Sequence, residues 1–220
     1  APCDYTRSLD LRNAIASTQY TVAGVTHTRQ WFASHPARAI VGFIGASIPR
    51  AISATIRLTC PHREARTRVE EGATIVLAGR VEDPTNNTLG LSFESRLRVR
   101  TQGGEVISTG DEVRVTNADG IELLLVASTS FVRFDDISGD PSDRCAATLA
   151  RVGRESIEVL RAQHVADHRS LFDRVDLRLG RTQVLIDTHL PDRLERVRES
   201  VASVEPAPRL PAPVDDPALI

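Results

Sequence analysis

Apolar and polar side chains alternate at period two through most of the first 131 residues, the pattern of strands with one buried face. Residues 53–59 show it clearly, because Ala54, Ile56 and Leu58 fall on one face and polar side chains fall on the other. Further predicted strands lie at 20–34, 39–44, 74–80, 91–100, 111–116 and 121–127, of which the last is almost wholly apolar. About eight to ten strands at this spacing predict a mainly β fold, an antiparallel β-sandwich.

Residues 20–34 are predicted to form a hairpin around which the other strands are arranged. Gly24 follows Ala23 at the bend and can take the positive φ that a tight turn needs. Trp31 and Phe32 lie on the second arm and point to opposite faces of a strand. Large rings on both faces predict a strand that is covered on both sides and lies inside the sheet.

Turns and central strands are also indicated. Residues 39–44 are apolar on both faces, which predicts a central strand. The pair Gly103-Gly104 predicts a hairpin turn. Further turn signals lie at 47–49, 71–72, 83–87 and 117–120.

The period changes to that of helices near Asp140. Asp140 is predicted to cap a helix with Pro141 at its first position, where the missing N–H costs nothing. Asp192 is predicted to cap a later helix, and residues 175–179 look extended. One helical stripe comprises Leu149, Val152, Val159 and Leu160, a second comprises His164, His168, Leu171, Phe172 and Val175, and a third comprises Leu194, Val197 and Val201.

The change of period predicts three regions. The antiparallel β-sandwich occupies residues 1–131, a helical linker occupies 132–203, and a Pro-rich tail occupies 204–220. Prolines recur between residues 205 and 217, which excludes a regular helix or a central strand there and favours a linker or loose tail.

Composition excludes several classes of protein. The formal net charge of −2 gives neither the basic excess of a nucleic-acid binder nor an acidic disordered tail. No apolar run approaches the ~20 residues of a membrane span. Every basic residue other than histidine is arginine, which is typical of a GC-rich bacterial source. The chain has no methionine, which indicates a processed product, an expressed piece or a fragment, and its localisation stays open.

The three cysteines do not form a metal or redox motif. Cys3, Cys60 and Cys145 are far apart and odd in number, and no C-x-x-C pair occurs. Separate thiols are the favoured interpretation, and one disulfide with a leftover thiol is the alternative.

Two histidines have the spacing of helical metal ligands. His164 and His168 are four residues apart, so both rings can meet one ion on a helix. They share the apolar stripe with Leu171 and Phe172, and no glutamate follows His164 as in H-E-x-x-H. Packing in a core or interface is therefore favoured over a metal.

Candidate acids and nucleophiles lack organised partners in the sequence. The adjacent acids Glu70-Glu71 and Asp135-Asp136 point apart on a strand and lie near turns, which favours solvated roles over the paired carboxyl groups of glycoside hydrolysis. Residues 128–130, Ser-Thr-Ser, have no G-x-S-x-G context. Neither Gly103-Gly104 nor Gly42-x-x-Gly45 opens a helix as a phosphate cradle does. No catalytic, cofactor-binding or metal-binding residue is assigned.

Arginines and aromatic residues offer two candidate surfaces. The row Arg96, Arg98 and Arg100 on one strand face is expected to be solvated or paired with acids across the sheet, and a docking surface for another domain or a glycan is the alternative. Trp31, Tyr5 and Tyr20 are expected to pack, with stacking on a sugar ring as the alternative.

Motifs along most of the chain resemble the α-L-fucosidases of glycoside hydrolase family 95. His27, Gln30 and His168 stand where that family usually has an aromatic residue, glutamate and tyrosine. In the first half the matching residues are Tyr5, Arg7, Leu9, Asp10, Leu11, Tyr20, Gly24, Val25, Thr28, Arg29, Phe32, Ala33, Ser34 and Pro36. In the second half they are 127–131, His164, Asp167, Leu171, Phe172, Arg174, Val175, Leu177, Leu179, Gly180 and 190–194.

The resemblance implies an N-terminal, supersandwich-like β-sandwich and helical linker that precede an (α/α)6 catalytic barrel. It places the general acid, the base and the assisting asparagines in that barrel, beyond Ile220. The parent activity it implies is inverting, metal-free hydrolysis of terminal α-L-fucosides, without a cofactor. The chain alone is then expected to support the barrel and to be inactive. A stand-alone module that binds fucosylated glycan or another partner is the alternative, with no nucleic-acid or membrane partner.

Overall fold

The computed structural model describes residues 2–83, 88–176 and 190–202, and these contain eleven strands and three helices. The strands are β1 Cys3–Asp10, β2 Ile15–Val22, β3 Val25–Ser34, β4 Ala39–Ala46, β5 Ile52–Arg57, β6 Arg66–Glu70, β7 Thr74–Asp83, β8 Thr88–Gln102, β9 Glu105–Thr109, β10 Glu112–Ala118 and β11 Gly120–Thr129. The helices are α1 Pro141–Val152, α2 Ile157–Phe172 and α3 Leu190–Ala202.

The strands form two antiparallel sheets, which confirms the predicted mainly β sandwich. The larger sheet has eight strands in the order β1-β2-β3-β4-β11-β8-β7-β6, and the smaller has the order β5-β10-β9. Apolar side chains at alternate positions of both sheets meet in one core, which includes Ile75, Val99, Val113 and Ile121. Ala54, Ile56 and Leu58 join this core as predicted.

The opposite face of the larger sheet packs against α1 and α2. Phe32, Val41 and Leu124 of the sheet share a second core with Leu149 of α1 and Leu160 of α2. Residues Ala1–Val175 accordingly form one compact unit. The predicted boundary between the sandwich and the helical linker, after residue 131, stays a prediction.

The second unit, Asp176–Ile220, is described only at Asp176 and in α3. Helix α3 begins at Leu190, so Asp192 lies in its first turn, and the prediction that Asp192 caps the helix is wrong. Within α3, Arg198 Nη1 lies 3.7 Å from Oε2 of Glu195, which is one turn earlier in the helix. Most of the predicted extended segment 175–179, residues 84–87 of one predicted turn, and the predicted tail at 204–220 lie outside the described residues.

The predicted hairpin at 20–34 is confirmed, but its predicted coverage is not. Ala23 and Gly24 have φ of 49° and 79°, the pair of positive values of a type I′ turn. The hairpin strands β2 and β3 lie inside the sheet order. Phe32 is only 4% exposed, whereas Trp31 is 38% exposed. Strand β3 is therefore well covered on one face only, because the smaller sheet packs over the other half of the larger one.

The prediction of a hairpin at Gly103-Gly104 is wrong. Gln102 at the end of β8 pairs with Gly120 of β11, whereas β9 pairs with β10 in the smaller sheet. The two glycines thus carry the chain from one sheet to the other. A Cβ on Gly104 would lie 2.5 Å from the Thr116 carbonyl oxygen, so this close crossing requires glycine.

The chain returns to the larger sheet with almost no loop. The sequence predicts a four-residue turn at 117–120, but β10 runs to Ala118 and β11 begins at Gly120. Asn117 takes the bend with φ of 53°, a conformation that asparagine tolerates.

Helix α1 begins as predicted. The Asp140 side chain accepts hydrogen bonds from the backbone N–H groups of Ser142 and Asp143, at 2.7 and 3.1 Å. The predicted stripe from Leu149 to Leu160 is broken, because α1 ends at Val152 and α2 begins at Ile157. None of the described helices is long and apolar enough to cross a membrane.

Candidate functional site

The arginine row of β8 lies under helix α1. Arg96 Nε donates to Glu94 Oε1 at 2.6 Å, and Arg96 Nη2 donates to Ser142 Oγ, in the first turn of α1, at 2.9 Å. Glu94 is buried, and Arg96 also lies 3.6 Å from Glu70. Burial alone would lower the pKa of Arg96, but the carboxylates of Glu94 and Glu70 outweigh it and raise the pKa.

The other end of the row holds the connection between α1 and α2. Arg100 Nη1 donates to the Glu155 carbonyl oxygen at 3.0 Å, and Nη2 lies 2.8 Å from Glu122 Oε2 on the neighbouring strand. Between them, Arg98 Nε donates to Thr74 Oγ1 at 3.4 Å. The expected pairing with acids is confirmed for Arg96 and Arg100, and the row serves at the same time as the surface on which the chain's own helices pack.

His164 and His168 of α2 belong to a series of stacked rings that starts at Phe32 of the sheet and ends at Phe172 of α2. Ring centroids are 4.8 Å apart for Phe32 and His164, 6.2 Å for the two histidines, and 5.4 Å for His168 and Phe172. This arrangement explains the helical spacing of the two histidines by packing.

The same histidines fix the turn between β1 and β2. His164 Nε2 lies 3.0 Å from the Asn13 carbonyl oxygen, and His168 Nε2 lies 2.9 Å from that of Leu11. Both Nε2 atoms therefore act as donors, since a carbonyl oxygen only accepts. Arg169 adds two bonds to Asn13 Oδ1, at 2.9 and 2.6 Å. Residues 2–83, 88–176 and 190–202 contain no group of three or more side chains that could hold a metal ion. The ring contacts and hydrogen bonds of His164 and His168 favour packing in a core or interface over metal binding.

The adjacent acids do not converge. Glu70 pairs with Arg68 at 2.7 Å. Asp135 lies 2.9 Å from Arg133, and Asp136 accepts from the backbone and hydroxyl of Ser138. Glu70, Asp135 and Asp136 are thus each held by a nearby hydrogen-bond or ion-pair partner, which fits structural roles.

In the part of the chain that the structure describes, every carboxyl group with a shifted pKa has a lowered pKa. The hydrogen bond from Arg57 lowers the pKa of Glu112, and the hydrogen bond from Arg12 lowers the pKa of Asp173. Asp10 accepts hydrogen bonds from Asn13, Asp136 accepts them from Ser138, and Glu158 accepts one from its own backbone N–H, and each of these bonds lowers the pKa of the carboxyl group. A general acid that works near neutral pH needs the opposite shift.

Ser130 and Cys145 have structural partners. Ser130 Oγ accepts from the Ser92 backbone N–H at 3.1 Å. All three cysteines are free, which agrees with the favoured interpretation as separate thiols. Cys145 is buried and its thiol donates to the Glu94 carbonyl oxygen, and burial raises the pKa of Cys145 to about 11. Such a thiol is a poor nucleophile at neutral pH.

The three aromatic candidates lie in one part of the larger sheet. Trp31, in β3, stands over Gly42 of β4, where a Cβ would lie 2.3 Å from the indole. Tyr20 stacks on His27 with centroids 5.3 Å apart, and its hydroxyl accepts from Arg29 Nη2 at 3.0 Å. Tyr5, 62% exposed, lies in the irregular part of β1 between Cys3 and Thr6.

We call this part of the sheet the uncovered face, and its side chains follow the strand registers. One row across the strands consists of Leu9, Ala16, Trp31 and Gly42. The next row consists of Arg7, Thr18 and Arg29. A third contains Tyr20 and His27. Leu9, Val22 and Trp31 are each more than a third exposed, because the smaller sheet covers the other half of this face.

A depression adjoins Trp31 on the same face. It has a volume of about 380 Å³ and is lined mainly by Ala33, Ile40, Leu125 and Ala127, with Arg38 and His35 at its rim. Sequence reasoning missed this depression and the arginines beside Trp31. Gly42 is a sequence signal for the position of Trp31, because a glycine inside an apolar strand often marks a close approach by another group.

Comparisons with known proteins agree with this fold. The family model described as "Glycosyl hydrolase family 65, N-terminal domain" matches residues 2–133. Alpha-L-fucosidase 2 from Arabidopsis thaliana is 31% identical over 199 residues, which covers 80% of this chain and 24% of the relative. The chain therefore spans about a quarter of the length of this curated relative, and the resemblance drawn from the motifs is confirmed.

A solved structure shows the same fold in a more distant protein. A putative kojibiose phosphorylase from the human microbiome superposes with a TM-score of 0.53 at 14% sequence identity. The match covers 78% of this chain and 25% of the other. At this identity the likeness concerns the fold alone.

Proposed function

We propose that this chain, which belongs to the family of glycosyl hydrolase family 65 N-terminal domains, is the non-catalytic portion of an α-L-fucosidase-like glycoside hydrolase. The parent enzyme would be of family 95 and would hydrolyse terminal α-L-fucosides with inversion. The sandwich and helices would support its (α/α)6 barrel. Support comes from the match to about a quarter of alpha-L-fucosidase 2, a relative that is named as an α-L-fucosidase.

The exposed apolar side chains of α2 carry this proposal. The helix is fixed to the sheet by Leu160, His164 and the contacts to the β1–β2 turn. Apolar side chains nevertheless remain open to solvent: Val159, Leu171 and Phe172 are 40%, 59% and 42% exposed. Leu171 and Phe172 lie in the last turn of α2, where they continue the apolar stripe of His164. An exposed apolar surface of this kind is expected to pack against another domain, and this end of α2 is then the contact for the barrel.

Complementation between separately produced parts tests the supporting role. The portion of alpha-L-fucosidase 2 that this chain does not match is produced with and without this chain, and its soluble yield and melting temperature are measured. We expect both to rise with the chain and to fall back with Leu171→Asp. Val106→Asp, on the exposed strand β9, is the matched control. Unchanged yield and melting temperature with the unmodified chain would contradict the supporting role.

A second candidate function is binding of a carbohydrate, which the exposure of Trp31 favours. Its indole lies over Gly42 and the residue is 38% exposed, so part of the ring is open to stack on the apolar side of a sugar ring. Calorimetry with fucosylated oligosaccharides tests this function. Binding that Trp31→Ala or Tyr20→Ala removes supports it, and no heat of binding for any glycan favours the supporting role alone.

A further inference from the structure

The positive charges on the uncovered face indicate which class of carbohydrate it would bind. Arg7 and Arg29 occupy the same row on either side of Thr18, and both are exposed. Strands are spaced about 4.8 Å apart, so the two Cα atoms, two strands apart, are about 10 Å from each other. The small Thr18 between them leaves the space between the two guanidinium groups open. No acidic residue belongs to the Trp31 row or to the arginine row among the described strands.

Arg29 is held in place before any ligand arrives. Its Nη2 donates to the Tyr20 hydroxyl at 3.0 Å, and its guanidinium carbon lies 5.4 Å from the centre of the Tyr20 ring. Tyr20 is in turn stacked on His27. A guanidinium fixed by one of its N–H groups keeps the others for an anion, and less conformational entropy is lost on binding.

The position of Trp31 sets the distance between a stacked ring and this charge. Trp31 and Arg29 are two residues apart on β3, about 7 Å along the strand on the same face. Ala16 and Gly42 flank Trp31 in its row, so no large neighbour covers the indole from either side. The depression of about 380 Å³ lined by Ile40 and Ala33 continues the surface on the other side of Trp31.

We propose that the uncovered face binds an acidic glycan, a chain of hexuronic acid units. One sugar ring stacks on Trp31, and carboxylates of the chain pair with Arg29 and Arg7. This inference rests on the second candidate function, carbohydrate binding, and adds the charge of the ligand. Arginine offers a carboxylate two parallel N–H donors, and pairs of this kind are stronger than hydrogen bonds between neutral groups. Single-stranded nucleic acid also combines rings with charge, but the net charge of −2 disfavours a polyanion of that density.

Calorimetry with a matched pair of ligands tests the inference. The probes are tetragalacturonate and its methyl ester, which have the same rings but differ in charge. We expect tetragalacturonate to bind at least about tenfold more tightly than the ester, and its affinity to fall with added salt. Oligothymidylate of similar length is the third probe, and it is expected to bind more weakly than tetragalacturonate.

Variants locate the binding. Arg29→Gln and Thr18→Glu are each expected to weaken tetragalacturonate binding about tenfold or more, the second by placing a negative charge between the arginines. Trp31→Ala is expected to weaken both ligands, with circular dichroism and thermal melting to establish folding. Arg154→Gln, the same substitution at an exposed arginine away from this face, is the matched control and leaves both affinities unchanged.

The outcomes separate the inference from the function on which it rests. Equal binding of acid and ester, lost in Trp31→Ala, keeps carbohydrate binding but overturns the acidic ligand class. No binding of either, nor of fucosylated oligosaccharides, overturns both. Tetragalacturonate binding that survives Arg29→Gln and Thr18→Glu, or oligothymidylate binding of equal strength, also overturns the inference.

Discussion

Arg96 of β8 and Ser142 of α1 are joined by a hydrogen bond of 2.9 Å, although 46 residues separate them in the chain. The same guanidinium pairs with the carboxylate of Glu94, and Glu94 is only 4% exposed. One arginine therefore connects the charge inside the sheet to the first turn of the helix that packs on it.

Removing this arginine is expected to destabilise the protein strongly. Arg96→Met leaves the Glu94 carboxylate buried without its partner, and a broken buried pair costs about 3–5 kcal/mol. The free energy of unfolding from urea denaturation measures the loss. The double variant Glu94→Leu with Arg96→Met is expected to recover most of it, since no unpaired charge remains. A single variant within about 1 kcal/mol of the unmodified protein would contradict this role.

His164 is expected to matter for its N–H group as well as for its ring. His164→Phe keeps a ring in the stack with Phe32 but removes the donor to the Asn13 carbonyl oxygen, which is expected to cost about 1–3 kcal/mol in urea denaturation. His168→Phe is the matched control with a smaller cost, because its ring lies closer to solvent. Equal costs for the two variants would argue against a buried, donating His164.

Acid is expected to destabilise the fold over a defined range. The lowered pKa values of Glu112 and Asp173 mean that their pairs contribute fully above the ordinary values of 4.5 and 3.8. The contribution is lost as the pH falls through the lower values of the folded protein. The urea midpoint is therefore expected to hold from pH 7 to 5 and to drop below about pH 4.5. Glu112→Gln should flatten that drop, whereas Glu64→Gln, at an exposed glutamate, should not.

Gly42 is expected to be needed for the position of Trp31. In Gly42→Ala the new Cβ would lie 2.3 Å from the indole, so the ring must move. Trp31 is the single tryptophan of the chain, so its emission spectrum reports this movement directly. Gly24→Ala is the control, because it strains a φ of 79° but meets no atom within 4 Å. An unchanged spectrum in Gly42→Ala would place the indole elsewhere.

The sequence predicts most strands because alternation along one strand is a local property. Residues 53–59 show this, since their apolar side reaches the core as predicted. The Asp140 cap is local in the same sense, because its hydrogen bonds reach only two and three residues ahead. The resemblance to fucosidases rests on local motifs too, and the relative at 31% identity agrees with it.

Features that depend on which sheet a strand joins could not be read from the sequence. Gly103-Gly104 has the composition of a hairpin turn, but the partner of β8 at that point is Gly120 of β11. The uncovered side of Trp31 likewise depends on how far the three strands of the smaller sheet extend. The arginine row is predicted to be solvated or paired with acids, and the sequence does not show that α1 packs on it.

Fucose release by the purified chain tests the central claim most directly, namely that this chain supports a catalytic domain and does not itself catalyse hydrolysis. A fucosylated oligosaccharide is incubated with the chain, and free L-fucose is measured against a no-protein blank, with alpha-L-fucosidase 2 as the positive control. We predict no release above the blank. Sustained turnover by the chain alone would contradict the account.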